Sequence, residues 1–381
     1  MILNIYRFQN NSWSLLIHIL YFRKYFQRCI LKMKYKKLLI YWFSGTGNAQ
    51  SASKWISEYA WKTGMETELI ELSKCKIPDK DIFQKNTLIG FCYPTHGFNA
   101  PPAVIKFIRK FPRGKCDIFL LNTRAGMKIS KIFTPGLSGL ALFFPAIIMK
   151  LKGYRVRGYR PMDMPSNWIS LHPGLRKKVV ESIHIRCKKV TKKFTKRILD
   201  GKFVSRGLFD LPVDIAISPI SIAYYLFGRF ALAKTFYASD KCTDCGLCYK
   251  NCPVTAIIRK DDRPLWTFNC ESCMKCMNNC PERAIETAHG YTALLWWLAF
   301  SVIPLALAKL LVAVNIITYD FYLMHLRLLI YIFMFLSGLI TVFLGYRILH
   351  FLLRFRLFNR IFTLTSLTSY RFWRRYKSIN V

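Results

Sequence analysis

The chain has 381 residues, 52% of them hydrophobic, and a formal net charge of +38. The apolar content leans towards a membrane and the charge towards a polyanionic partner or an anionic membrane surface; together they argue against a uniform soluble enzyme. The length suggests two or three domains.

Residues 1–32 are basic and lack acids. No small-residue cleavage site follows the apolar patch Leu15–Phe22, as a secretory signal would require. The segment reads as an extension without a function of its own, or as an amphipathic arm touching a membrane. A compact domain is expected over 33–205. Residues 34–43 read as a buried parallel strand, 44–48 as a turn, and Ala49–Trp61 as a helix with apolar positions at helical spacing. "TELIEL", "TLIGFCYP" and "KCDIFLLNTRAG" supply further strands, the last running into a loop; "YRVRGYRPMDMP" supplies a final one. "PPAVIKFIRKF" and "LSGLALFFPAIIMKLKGY" are helices between them. This alternation predicts an α/β domain with a doubly wound parallel sheet. A basic helix, Leu175–Leu199, carries one apolar stripe including Ile183, Cys187 and Phe194. Residues 206–238 form an apolar connector.

The thirteen cysteines are unevenly placed, with eight between Cys242 and Cys280. Cys29, Cys75, Cys92, Cys116 and Cys187 are scattered and read as core cysteines or as cysteines without close partners. This is not a disulfide scaffold; it reads as a reduced metal site. "CTDCGLCYKNCPVTAI" and "CESCMKCMNNCPERAI" are one repeat, C-x2-C-x2-C-x3-C-P, within a small domain at 239–290. Three close cysteines plus a fourth before proline suit a cubane cluster better than zinc. The region resembles bacterial two-cluster ferredoxins, whose fold is a small α+β module. The resemblance implies that each fourth cysteine comes from the other repeat. Cys242, Cys245, Cys248 and Cys280 would then hold one [4Fe-4S] cluster, and Cys252, Cys270, Cys273 and Cys276 a second. Gly246 is expected to allow close backbone approach in the first loop.

Leu294–Ile317 and Leu328–Tyr346 each meet the length rule for a transmembrane helix, within a helical hairpin at 291–355. Trp296 and Trp297 read as an interfacial belt. The loop near Tyr319 and Asp320 is poor in basic residues, whereas the tail, 356–381, is rich in them. The positive-inside rule therefore predicts a multi-pass protein of the cytoplasmic membrane, with both termini and both domains in the cytoplasm.

"FSGTGNAQ" follows a strand and opens a helix, so its amides can bind an anion, and it lacks the lysine of a nucleoside-triphosphate loop. It resembles the phosphate loop of flavodoxins, which bind FMN. The resemblance implies FMN contacts from Ser44, Gly45, Thr46, Gly47, Asn48 and Ala49, the last replacing a hydroxyl residue of the family. It also implies a ring-flanking loop of Tyr93, Pro94, Thr95, His96, Gly97, Phe98 and Asn99. A second flavin loop would hold Thr123, Arg124, Ala125 and Gly126. Arg124, unusual for the family, would stabilise an anionic reduced flavin or face solvent. The order of domains, with "MPSNWI" at Met164–Ile169, resembles the flavodoxin–ferredoxin fusion proteins of anaerobic prokaryotes, here with two membrane helices added.

The expected function is membrane-anchored electron transfer between FMN, two [4Fe-4S] clusters and external redox proteins. FMN exchanges two electrons and clusters one, so the pair converts between the two kinds of partner. No nucleophile or acid/base constellation marks an organic substrate. The alternatives are a flavin-dependent oxidoreductase acting on a membrane-soluble substrate such as a quinone, favoured by an apolar pocket near the spans, and a non-enzymatic redox sensor or scaffold. The basic surface points to anionic lipid or an acidic redox partner rather than nucleic acid.

Overall fold

The computed structural model describes residues 34–80, 86–314 and 327–376. The expectations for residues 1–32, Ile317, Tyr319 and Asp320 lie outside these residues. Five strands form the parallel sheet: β1 (Lys37–Trp42), β2 (Glu66–Glu71), β3 (Thr87–Pro94), β4 (Asp117–Ile129) and β6 (Arg155–Pro165). Their order is β2-β1-β3-β4-β6, with every pairing parallel, which is the doubly wound order of flavodoxin type. The short β5 (Ile132–Thr134) folds back antiparallel on the end of β4. The expected loop after Leu121 is therefore strand as far as Ile129, because β6 pairs it up to Gly126 and β5 pairs Met127–Ile129.

Helices α1 (Asn48–Lys62) and α4 (Lys177–Leu199) cover one face of the sheet. Helices α2 (Pro102–Lys110) and α3 (Leu140–Leu151) cover the other. Alternation along β3 divides its side chains between the layers: Ile89, Phe91 and Tyr93 join the α2–α3 core, and Leu88 and Cys92 the α1–α4 core. The stripe on α4 buries Ile183, Cys187, Phe194 and Ile198, as its spacing predicts. Cys92, Cys116 and Cys187 are buried and Cys75 half-buried.

The connector is built onto this domain through α5 (Leu211–Ala216), α6 (Ser218–Ala223) and α7 (Arg229–Lys234). Asp214 accepts hydrogen bonds from the Ser138 and Gly139 amides at 3.2 and 2.7 Å. The Ser221 hydroxyl donates to the Phe98 carbonyl at 2.8 Å. A small module follows. It comprises β7 (Phe236–Ala238) paired with β10 (Ile285–Thr287), the hairpin β8 (Ile257–Lys260) and β9 (Arg263–Trp266), and two short helices, α8 (Leu247–Lys250) and α9 (Lys275–Asn279).

From this module run two helices long and apolar enough to cross a membrane, α10 (His289–Ala313) and α11 (Arg327–Leu352). They approach closely at two glycines: a Cβ on Gly338 would lie 2.6 Å from Phe300, and one on Gly345 2.3 Å from Leu295. Small residues at such crossings let apolar helices pack without a hydrophobic drive between them. Their outer faces leave Phe333, Leu336, Ile340 and Phe343 exposed. The amphipathic α12 (Arg356–Leu364) then returns to the small module, where the buried Asn359 donates to the Ala238 carbonyl at 3.1 Å.

Candidate functional site

The two cysteine loops are conformational copies. Asp244 and Ser272 occupy equivalent positions and both have positive φ; so do Gly246 and Met274, and Thr255 and Arg283. Left-handed residues at matching places turn the amides of each loop inward, the arrangement that cradles anions. Three of these amides reach sulfur. Ser272 donates to Cys270 Sγ at 3.4 Å, Ala256 to Cys252 Sγ at 3.2 Å and Ala284 to Cys280 Sγ at 3.3 Å. Gly246 has a different role from the expected close approach. The nearest heavy atom to a Cβ there would be 3.9 Å away, so its φ of +76° is the reason for glycine.

One cavity is lined by Cys242, Cys245, Cys248 and Cys280, and a second by Cys252, Cys270, Cys273 and Cys276, with Cys276 bordering both. No disulfide links the described cysteines. Among the described residues, no three His, Cys, Asp or Glu side chains converge on a point suited to a single metal ion. Sulfurs ranged around a cavity fit a cube of iron and sulfide, which each cysteine grips at its own corner. Burial pushes the Cys270 and Cys273 thiols up to about 12 and Cys276 well above the usual range, so metal loading there releases protons.

The glycine loop lies beside the second cavity. Gly47, with φ of 91°, caps α1, whose first turn holds no acid. The Gly47 amide donates to Ser44 Oγ at 3.0 Å, and Asn48 Nδ2 to the Pro165 carbonyl at 2.9 Å. A pocket of about 190 Å³ opens over this loop. Of the predicted flavin residues, Ser44, Gly45, Thr46 and Asn48 line it from the first loop. Pro94, Thr95, His96, Gly97 and Phe98 line it from the second, and Thr123, Arg124 and Ala125 from β4. Gly47, Ala49, Asn99 and Gly126, also expected to contact a flavin, do not line it.

Tyr93 departs from its expected place. Strand alternation turns it into the core, where its hydroxyl donates to the Ala141 carbonyl at 2.9 Å, so it does not flank a ring in the pocket. Arg124 is also corrected: it does not face solvent. Its side chain is 2% exposed and pairs with Asp163 and Asp210, each at 2.7 Å. Burial opposes its charge, but the two carboxylates outweigh burial and raise its pKa. Asp210 lies in the connector, so Arg124 ties the connector to the sheet.

The His96 side chain is 11% exposed, and loss of hydration holds it neutral, with its pKa down to about 4. The nearby Glu271 carboxylate, at 4.0 Å, is too distant for a hydrogen bond; burial pushes it up to about 7, which makes an ion pair unfavourable. His96 Nδ1 and Trp168 Nε1 are buried without a partner at the pocket, which fits a polar occupant.

Several lining residues were not expected at this pocket from the sequence. Asn167 donates to Thr46 Oγ1. Tyr224 of the connector packs on Gly97, where a Cβ would lie 1.9 Å from its ring. Ser272, Cys273 and Met274 close the pocket from the small module. The contact is tight: a Cβ on Gly45 would stand 2.3 Å from the Cys273 carbonyl oxygen. The tail adds a strap. Trp373 Nε1 donates to the Ile169 carbonyl and Gly174 donates to the Trp373 carbonyl, both at 2.7 Å, while Arg374 donates to the carbonyls of Arg283 and Met277.

Residues 241–285 match the family of 4Fe-4S dicluster domains. The chain carries a 4Fe-4S dicluster domain. No curated protein matches the chain. Solved structures similar to the α/β part include a flavodoxin from the domain Archaea, 13% identical, covering 42% of this chain and 98% of its own with a TM-score of 0.27. Oxidised flavodoxin 1 from Bacillus cereus is 15% identical, with coverages of 42% and 97% and a TM-score of 0.29. The assignment of the sheet rests on its strand order. A flavodoxin-type domain and a dicluster domain thus share one chain, the make-up of a flavodoxin–ferredoxin fusion, with two long apolar helices added. This combination supports an electron-transfer oxidoreductase.

Proposed function

We propose that the protein is a membrane-anchored electron carrier that passes electrons between FMN, two [4Fe-4S] clusters and external redox proteins. The contact between Gly45 and Cys273 carries this reading: the loop at the mouth of the flavin pocket touches a cluster cysteine directly. FMN supplies exchange between two-electron and one-electron steps, and the clusters carry single electrons. The chain's residues do the positioning. The Ser44–Asn48 loop and the start of α1 offer amides and hydroxyls to a phosphate. His96, neutral at pH 7, and Trp168 offer polar atoms to a ring. Cys242, Cys245, Cys248 and Cys280 hold one cluster, and Cys252, Cys270, Cys273 and Cys276 the other, with Cys276 at their boundary. Tyr224, Ser272 and Met274 keep bulk water from the gap between pocket and cysteines.

The membrane helices leave the dicluster domain after β10 and return to it through α12, which supports a hairpin with both ends on one side. The basic residues of the tail favour the cytoplasmic side and contact with anionic lipid. Anaerobic purification in detergent, with iron, sulfide and flavin quantified and spectra taken on reduction, tests the reading. Roughly eight irons and about one FMN per chain are expected. Zinc without acid-labile sulfide, or protein that does not bind FMN, would overturn it.

A further inference from the structure

A cavity of about 850 Å³ lies between the connector, the dicluster domain and α11, and the path from flavin to clusters does not use it. Aromatic side chains stand on several of its walls: Phe227 and Phe230 from the connector, Phe268 from the dicluster domain, Trp296 from α10, and Phe343 and Phe351 from α11. Lys234, Lys260, Arg263, Arg347 and Arg354 bring positive side chains to the lining, beside His350. Several of these are held in place. Arg263 pairs with Asp240 at 2.9 Å. His350 Nε2 donates to the Lys234 carbonyl at 3.0 Å, and Lys234 Nζ donates to the Trp266 carbonyl at 2.8 Å. Asp261, the acid in the lining, pairs with Arg354 at 3.0 Å. The buried Pro264 lines both this cavity and the one bounded by Cys242, Cys245, Cys248 and Cys280. Leu339 and Phe343 connect the cavity to the apolar face of α11.

We propose that this cavity binds a hydrophobic quinone, which exchanges electrons with the cluster behind Pro264. The inference rests on the electron-carrier reading and names one of its partners. A flat conjugated head suits aromatic walls, carbonyl oxygens suit the basic side chains, and an apolar tail leaves along α11. An anionic phospholipid would satisfy the basic residues but makes no use of flat walls beside a cluster cavity. Reduction of the bound quinone to the quinol takes two electrons, drawn singly through the chain from a reduced external redox protein, and two protons from water. No covalent bond to the protein forms. The flavin pocket shares no lining residue with this cavity, so the flavin is not the quinone's direct partner.

The test uses the full chain in detergent, assayed for iron, sulfide and flavin, and a decyl-tailed azidobenzoquinone as photolabel. Mass spectrometry should place the label on 227–238, 260–268, Trp296 or 339–354, displaced by unlabelled decyl-benzoquinone and not by phosphatidylglycerol. Leu339→Trp, which adds an indole at the apolar mouth and narrows the cavity, should weaken binding roughly tenfold or more. Phe343→Ala, at an exposed wall position, should weaken it with iron and sulfide unchanged, so that misfolding is not the cause. Label elsewhere, label displaced by phosphatidylglycerol, or binding unaffected by both substitutions overturns the proposal. Chemical reduction of the flavin followed by a cluster signal in electron paramagnetic resonance separates the two readings. If that transfer occurs and the label lies elsewhere, the carrier reading stands and the quinone site falls. If flavin or clusters are lacking, the carrier reading fails, while labelling still reports on the cavity.

Discussion

Arg374→Ala should release the strap that binds the tail to both soluble domains. Arg374 is 6% exposed and donates to the Arg283 carbonyl at 2.7 Å and to the Met277 carbonyl, with Glu286 at 3.8 Å. Hydrogen bonds from a charged donor are worth about 1.5–3 kcal/mol each, so the two together stabilise docking by about 3–6 kcal/mol. Removing the cation also leaves the buried Glu286 carboxylate with the hydroxyls of Ser366 and Thr368 as its remaining neighbours in this cluster. Two amides outside the strap report on docking: Gly174 donates to the Trp373 carbonyl and Thr287 to Thr368 Oγ1. At 1.4 kcal/mol per decade, their hydrogen exchange should quicken by roughly a hundredfold or more. Arg374→Lys keeps the charge with a single point of donation and should fall between. Unchanged exchange at both amides in Arg374→Ala would refute the reasoning.

Cys280→Ser and Cys252→Ser should each reduce iron from roughly eight to roughly four per chain. Combining Cys280→Ser with Cys245→Ser should cost no further iron, whereas combining it with Cys273→Ser should remove nearly all of it; the reverse pattern would exclude crosswise ligation. Gly45→Ala places a Cβ 2.3 Å from the Cys273 carbonyl oxygen, an overpacking that costs about 1–3 kcal/mol. Flavin retention and flavin-to-cluster transfer should both decline, and wild-type values for both would sink the proposed contact. His184 is buried edge-on to Trp55, and burial lowers its pKa to about 4. Between about pH 6.5 and 4 the unfolded chain takes up a proton there and the folded chain does not. Stability therefore falls with falling pH by up to about 3 kcal/mol for this group. His184→Phe should flatten that part of the pH–melting profile, and an equal slope in both proteins would count against it.

The sequence by itself determined the features written in short-range patterns. The doubled C-x2-C-x2-C-x3-C-P spacing marked the eight cysteines that line the two cavities. The strand-to-helix passage through Ser44–Asn48 marked the loop beneath the pocket, and the long apolar runs marked the helices that can cross a membrane. Each depends on neighbours within one loop, turn or helix, so spacing alone carries it. Tertiary structure decided what required distant segments to meet. Strand alternation sent Tyr93 into the core, and Asp163 and Asp210 claimed Arg124. Tyr224, Asn167 and Cys273 came to the pocket although no spacing in the sequence places them there. The tail, read as a basic cytoplasmic segment, docks as a strap through Trp373 and the buried Arg374. No local period encodes such contacts, because burial and hydrogen-bond partners are set only when the domains pack.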